Sequence, residues 1–115
     1  MEMIDKEKFL ENFQYFDNEV ILDIINIFIN EYPERMETLR KNIDDKDYDQ
    51  LKFNAHSLKG VVANFVAPEV QELARQLEMK GAEQDLTDVE QLFAELKEKT
   101  GILLQELEEI KKEYQ

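Results

Sequence analysis

The stretch FNAHSLKGVVANF, residues 53–65, contains His56, the only histidine in a chain of 115 residues. Lys59 follows it by three residues, Gly60 by four and Ala63 by seven, so all four share one face if the stretch is helical. A neutral imidazole is a nucleophile near neutral pH, and a lysine can hold an anionic group placed on it. The pattern indicates a nucleophile that could carry a phosphoryl group, although a lone surface histidine usually has no such role.

The residues around His56 have the spacing of an amphipathic helix, which places the histidine outside the core. The apolar positions are spaced by threes and fours: Tyr48, Leu51, Ala55, Leu58, Val62 and Phe65. At about 100° per residue, His56 lies roughly 130° from the centre of this stripe, and Gly60 points almost directly away from it. A helical glycine can also mark a close crossing of two helices, but the outward direction of Gly60 argues against that alternative.

Phe53 precedes His56 by three residues and lies near Gly60 on the helical wheel, away from the apolar stripe. An exposed phenylalanine beside a reactive residue indicates an apolar docking contact for a partner protein. The alternative is that Phe53 packs beneath a short first helix, against one of three phenylalanines: Phe9, Phe13 or Phe16. We predict that the partner-binding residues are Phe53, Ser57 and Ala63.

The first two predicted elements are helices. Asp5 is expected to cap a short helix through about Phe13, with Phe9 and Leu10 on the same side as Phe13. Asp17 is expected to cap a long second helix, which Pro33 should kink or split. The apolar positions of this second helix are Val20, Ile24, Ile27, Phe28, Tyr32, Met36, Leu39 and Ile43.

The remaining elements are also predicted to be helical, because no stretch alternates apolar and polar residues as a strand would. Asp47 is expected to cap the helix that carries His56, and Pro68 favours a break near residues 66 and 67 before a fourth helix. Gly81 is a plausible stop for that helix. Thr87 should cap the last helix, which is interrupted by Gly101.

Four substantial amphipathic helices with short connections should pack with their apolar stripes inward. The expected fold is therefore all-α, an antiparallel four-helix bundle with a short additional N-terminal helix. With 43% hydrophobic residues and no linker or low-complexity segment, residues 1–115 are predicted to form a single domain.

Composition excludes several classes of function. With 27 acidic and 14 basic residues the net charge is −13, which repels nucleic acid and anionic membranes. The most apolar stretch, VILDIINIFI, is broken by Asp23 and Asn26, so no membrane span is expected. One histidine and no cysteine make a closed zinc site unfavourable. No nucleotide-binding motif is found and no signal peptide is expected, and the lack of cysteine is compatible with a reducing compartment.

The motif AHSLKG resembles the signature of the histidine-containing phosphotransfer (HPt) domain, whose core reads H-x-L-K-G. The resemblance covers about residues 17–80 clearly, and the last helix matches only in character. Other positions that match are Phe28, Pro33, Leu39, Asp47, Leu51, Ala55, Asn64, Ala67, Ala74, Leu77 and Glu78. Two positions depart from the family pattern: Val66 replaces the usual glycine, so the turn before Pro68 can differ, and Val61 replaces a small polar residue.

The resemblance implies specific roles for residues of this chain. His56 would accept a phosphoryl group from a receiver-domain aspartate and pass it to another receiver, Lys59 would hold the phosphate, and Gly60 would leave a gap that admits the receiver. Glu78 either hydrogen-bonds the other imidazole nitrogen or is a solvated carboxylate.

The expected partners follow from these roles. They are receiver domains of hybrid kinases or response regulators, and Mg²⁺ is expected on the receiver, with no cofactor or metal of this chain's own. We expect a cytoplasmic monomer without kinase activity. The alternative function is a non-catalytic helical adaptor that docks partners without phosphotransfer.

Overall fold

The computed structural model describes residues 2–115, in which five helices and no strand occur. The helices are α1 (Lys6–Phe13), α2 (Asn18–Asp44), α3 (Tyr48–Ala63), α4 (Pro68–Glu83) and α5 (Val89–Lys111). Each of the four long helices packs against two others, in the cyclic order α2, α3, α4 and α5. The predicted all-α bundle with a short N-terminal helix is therefore confirmed. None of the helices within residues 2–115 is long and apolar enough to cross a lipid bilayer.

The helix starts agree in part with the predicted caps. Asp5 and Asp47 accept hydrogen bonds from the backbone N–H groups three residues later, each at 3.2 Å, as N-cap aspartates do. Asp17 occupies the cap position of α2 without a side-chain bond. The prediction for Thr87 is wrong, because Asp88 precedes α5 and the Thr87 hydroxyl donates instead to Asp85 Oδ1 at 2.6 Å.

Neither Pro33 nor Gly101 breaks the helix that contains it. α2 runs without a break through Pro33, so the proline does not split it. Phe28 and Met36 are buried on either side of the proline, and this core packing holds both halves in one helix. α5 likewise continues through Gly101, where the buried Thr100 donates its hydroxyl to the Leu96 carbonyl at 2.6 Å.

The buried side of two helices differs from the predicted side. Leu10 is 56% exposed, so only Phe9 and Phe13 anchor α1 in the core. In the first half of α2, Val20 and Ile27 are exposed, while Ile21 and Ile25 are buried. The reason is that VILDIINIFI carries apolar residues on nearly every side, so its periodicity does not select one face.

The connection between α3 and α4 follows the predicted break. Val66 has φ 54°, in the left-handed region that glycine adopts readily and that costs a β-branched residue roughly 1–2 kcal/mol. Its carbonyl accepts a hydrogen bond from the Asp5 N–H at 2.9 Å. The preceding Phe65 is fully buried against the rings of Phe9 and Phe28. The turn before Pro68 is therefore left-handed at a valine, and its hydrogen bond to Asp5 and the packing of Phe65 hold it there.

The N-terminal segment is tied to the last helix as well as to this turn. The Glu106 carboxylate accepts hydrogen bonds from the backbone N–H of Met3, at 2.8 and 3.0 Å, and of Ile4, at 3.3 Å. Both side chains are buried. Together with the Asp5 bond, these contacts fasten the N-terminal segment to α5 and to the turn before α4.

Candidate functional site

His56 projects from the middle of α3 with its side chain 66% exposed, so the helical wheel places it correctly outside the core. Its Nδ1 lies 3.1 Å from Glu78 Oε2 on α4. No hydrogen bond to Nε2 occurs within the described residues 2–115. The ring is therefore held on one nitrogen and open on the other.

Glu78 joins the two other polar groups of the site. Its Oε1 accepts a hydrogen bond from Lys59 Nζ at 2.7 Å while Oε2 faces His56, and its side chain is only 17% exposed. The Lys59 bond lowers the pKa of the Glu78 carboxyl below its ordinary value; partial burial opposes this shift, and the His56 bond adds to it. Glu78 is thus a bridging carboxylate and not a freely solvated one.

The charge of Glu78 determines the imidazole tautomer. An ionised carboxylate can only accept hydrogen bonds, so a neutral His56 must carry its proton on Nδ1 to make the 3.1 Å contact. The lone pair then lies on Nε2, the exposed nitrogen. This is the arrangement of a nucleophilic base that is oriented by a third group.

Lys59 is predicted to bind phosphate, and the structure places its Nζ against Glu78, with the side chain 29% exposed. It follows His56 by one turn of α3 and shares the same carboxylate. An ammonium group has three donors, so a bond to Glu78 leaves two for an anion on His56.

Gly60 faces open space. A Cβ atom built on it meets no heavy atom within 4 Å, so the alternative of a close helix crossing at this position is wrong. Ala63 is exposed one turn further along the same face. No large side chain therefore projects beside His56 at these two positions.

Gly81 is a residue whose role the sequence prediction missed. It does not stop α4, which continues to Glu83 and ends before Gln84 at φ 54°. Gly81 is buried, and a Cβ on it would lie 2.7 Å from Lys52 N and 2.8 Å from Tyr48 O. The close crossing is at this glycine. Its position four residues after Leu77, in line with the apolar stripe of α4, is the signal that could have indicated it.

Phe53 is 67% exposed, so the alternative that it packs beneath α1 is wrong. The phenylalanines of that region contact one another and Phe65 instead. A shallow hollow beside His56 is lined by Asp49, Lys52, Phe53, His56 and Glu78.

Within residues 2–115 no three histidine, aspartate or glutamate side chains converge as metal ligands would.

Ser57 lies apart from this open surface. It is half-buried, and its hydroxyl accepts a hydrogen bond from Arg35 Nη1 of α2 at 3.1 Å. The structure therefore brings Phe53, Gly60 and Ala63 to the exposed side of α3 with His56, whereas Ser57 is turned toward α2. Its contact with a partner stays a prediction.

Comparisons with known proteins identify the fold and the family of this chain. The Hpt domain family model matches residues 23–113. The structure is similar to the crystal structure of histidine-containing phosphotransfer protein B (HptB) from Pseudomonas aeruginosa PAO1, with a TM-score of 0.89 and 18% identity. The match covers 98% of this chain and 97% of that one, and at this identity it shows the shared fold. No curated protein matches significantly. Because the family model spans most of the sequence, this chain belongs to the Hpt domain family.

Proposed function

We propose that Nε2 of His56 accepts a phosphoryl group from the aspartyl phosphate of one receiver domain and transfers it to the aspartate of another. Family membership makes the chain a phosphorelay intermediate, and the proposal assigns the residues that perform this function. The observation that carries it is the Glu78 contact with Nδ1 at 3.1 Å, which leaves Nε2 as the free and exposed nitrogen.

The transfer is an in-line displacement at phosphorus. The Nε2 lone pair forms the new N–P bond while the P–O bond to the aspartate breaks, and the aspartate leaves as a carboxylate. Because Nδ1 keeps its proton, the phosphorylated ring carries a positive charge. The Glu78 carboxylate stabilises that charge from 3.1 Å away, in the way that a buried aspartate supports a catalytic histidine.

Lys59 supplies the complementary charge. Its Nζ lies one helical turn from the imidazole and is held by Glu78 at 2.7 Å, so it is positioned before any phosphoryl group arrives. A cation placed in advance stabilises the negative oxygens of the transferring group without having to reorganise. We expect Lys59→Ala to slow the transfer by roughly tenfold or more.

The proposal divides the chemistry between two proteins. The family consists of phosphoryl carriers, and this chain supplies an oriented nucleophile and one cation. The sequence contains no glycine-rich phosphate loop for ATP. The receiver supplies the aspartate and the Mg²⁺ that neutralises charge during transfer. We expect the chain to act as a cytoplasmic monomer that does not bind nucleic acid, in keeping with its net charge of −13.

Incubation with a receiver charged by a small acyl phosphate tests the proposal. The wild type should acquire a phosphate that is acid-labile and base-stable, as an N–P bond is. His56→Gln should acquire none and should keep its helical circular dichroism, because the side chain is exposed. Label retained in His56→Gln would contradict the assignment. Receiver binding without any label on the wild type would favour the non-catalytic adaptor.

A second incubation, with ATP and Mg²⁺ but no receiver, tests the division of labour. The isolated chain should remain unlabelled over the time in which the charged receiver phosphorylates it completely. Labelling by ATP alone would show that the chain binds ATP and phosphorylates itself. The proposed division of the chemistry between this chain and a receiver would then be wrong.

A further inference from the structure

Gly81 is the point at which α4 touches the backbone of α3. A Cβ at this position would lie 2.7 Å from Lys52 N, 2.8 Å from Tyr48 O and 3.0 Å from Lys52 Cα. These are backbone atoms of the first turns of α3, and they cannot rotate out of the way as a flexible side chain would. Only glycine allows the two helices to be this close.

This contact lies beside the functional site. The two helices are antiparallel, since Lys52 meets Gly81 while Lys59, further along α3, meets Glu78, which lies earlier on α4. Gly81 follows Glu78 by three residues, and Lys52 precedes His56 by four, so about one helical turn separates the crossing from the His56–Glu78 pair on each helix. The spacing of the helices at the crossing therefore sets the distance across the site.

We infer that Gly81 is a positioning residue for phosphotransfer, because it sets the α3–α4 spacing at which the Glu78 carboxylate reaches both His56 Nδ1 and Lys59 Nζ. This inference rests on the proposed role of His56. It adds that the orientation of the nucleophile depends on a buried glycine that touches neither the imidazole nor the phosphoryl group.

The distances indicate how sensitive the arrangement is. To return an added Cβ to ordinary contact, the α3 backbone must recede by roughly 0.7 Å. The contact between His56 Nδ1 and Glu78 Oε2 is already 3.1 Å long. A further displacement of that size would take it beyond hydrogen-bond range. The bond from Lys59 Nζ to Glu78 Oε1 is shorter, at 2.7 Å, so the same displacement would lengthen it without breaking it.

The first experiment measures the imidazole directly and needs no receiver. ¹⁵N chemical shifts of His56, the only histidine, distinguish protonated from unprotonated ring nitrogens. In the wild type, Nδ1 should be protonated and Nε2 unprotonated. Gly81→Ala should show a mixture of tautomers. The matched control is Gly101→Ala, another helical glycine, at which a Cβ meets nothing within 4 Å; this variant should keep the wild-type shifts.

The second experiment asks whether Gly81 acts through Glu78. Transfer from a phosphorylated receiver should be about tenfold to a hundredfold slower in Gly81→Ala, as expected for a small misplacement of a reacting group. In a Glu78→Ala background, the same glycine substitution should cause little further loss, because the interaction it disturbs is already gone. Both measurements are also made in Gly81→Ala/Gly101→Ala, where the second alanine favours the helix and offsets lost stability.

The outcomes separate this inference from the function on which it rests. Failure of the wild type to accept phosphate would refute the proposed function, yet the tautomer measurement would still test the role of Gly81. A folded Gly81→Ala with wild-type shifts and transfer would overturn the inference, and so would a full additional loss in the Glu78→Ala background. If even Gly81→Ala/Gly101→Ala does not fold, Gly81 is a packing residue, and the positioning role is refuted.

Discussion

The α3 turn at Gly60 and the α4 turn at Gly81 have similar sequences and opposite environments. Each glycine lies within a helix and within four residues of a site residue, His56 or Glu78. A side chain at Gly60 would enter open space, whereas one at Gly81 would meet the backbone of α3. Glycine spacing within one helix does not distinguish these cases. The difference is the presence of a second helix on one side and solvent on the other.

We propose that the two turns serve the two requirements of a phosphoryl carrier. The open turn at Gly60 would let a receiver approach Nε2 of His56. The closed turn at Gly81 would set the helix spacing at which Glu78 contacts Nδ1 of the same ring. A helix propensity cost of about 1 kcal/mol for each glycine relative to alanine is therefore offset in different ways. Four predictions test this difference, from the largest expected effect to the smallest.

The largest effect is expected on stability. Gly81→Gln should lower the free energy of unfolding by about 3 kcal/mol or more, because the side chain overlaps the α3 backbone and forces the helices apart. Gly60→Gln should leave it unchanged or raise it by up to about 1 kcal/mol, since glutamine is the better helix former. Urea unfolding of the two variants measures both. Equal destabilisation by the two substitutions would contradict the difference in available space between Gly60 and Gly81.

The next effect is on transfer. Gly60→Gln should slow phosphotransfer from a receiver by about tenfold or more, because a long side chain projects over the face that the receiver must approach; this corresponds to roughly 1.4 kcal/mol. Gly101→Gln, on α5, is the control for the same substitution in open space. A time course of phosphohistidine formation measures the rate. Normal transfer in Gly60→Gln would show that a receiver does not need the open space at Gly60 to reach His56.

Phe53 extends the open side of α3. Phe53→Ala should weaken receiver binding by about tenfold, because an exposed aromatic at a docking site contributes strongly to affinity, while stability changes by only about 0.5 kcal/mol. Titration calorimetry and urea unfolding measure the two effects. Tyr15→Ala, at an 88% exposed aromatic in the α1–α2 connection, should affect neither. A large loss of stability with unchanged affinity would make Phe53 a packing residue.

The smallest effect is expected from the ionisation of Glu78, on the α4 side of the site. The pKa of Glu78 is lowered in the folded protein, chiefly by Lys59, so its ionised form stabilises the fold. That contribution is fully present above the ordinary glutamate pKa of about 4.3 and is lost as the pH falls through the lower folded value. The difference in unfolding free energy between wild type and Glu78→Gln should therefore shrink below about pH 5. A difference that grows on acidification would contradict this pKa direction.

The fold was largely predictable because helix periodicity and capping are local properties. The start of α1 at Asp5, the start of α3 at Asp47 and the break before Pro68 follow from single residues and their neighbours. The buried face of α2 was not predictable over its first half. Ile21 and Ile25 are buried there in place of Val20 and Ile27, and only packing against the other helices selects between these sets.

The candidate site divides in the same way. The exposure of His56 and the open space at Gly60 could be inferred from the helical wheel of α3 alone. The wheel left Phe53 between a docking contact and packing beneath α1, and the structure decided this by leaving it exposed. The resemblance to the HPt family left Glu78 with two equal interpretations, and the structure chose between them by placing its carboxylate between His56 and Lys59. Ser57 could not be assigned from the wheel, because its bond to Arg35 crosses to α2.

The sequence by itself therefore determined the helical class, the number of long helices and the exposed face that carries His56, Lys59 and Gly60. Each of these depends on neighbours within about one or two turns of the same helix. The tertiary structure alone decided which nitrogen of His56 is held, and that Gly81, not Gly60, is the close crossing. These depend on the distance between two helices, which is set by the packing of side chains far apart in the sequence.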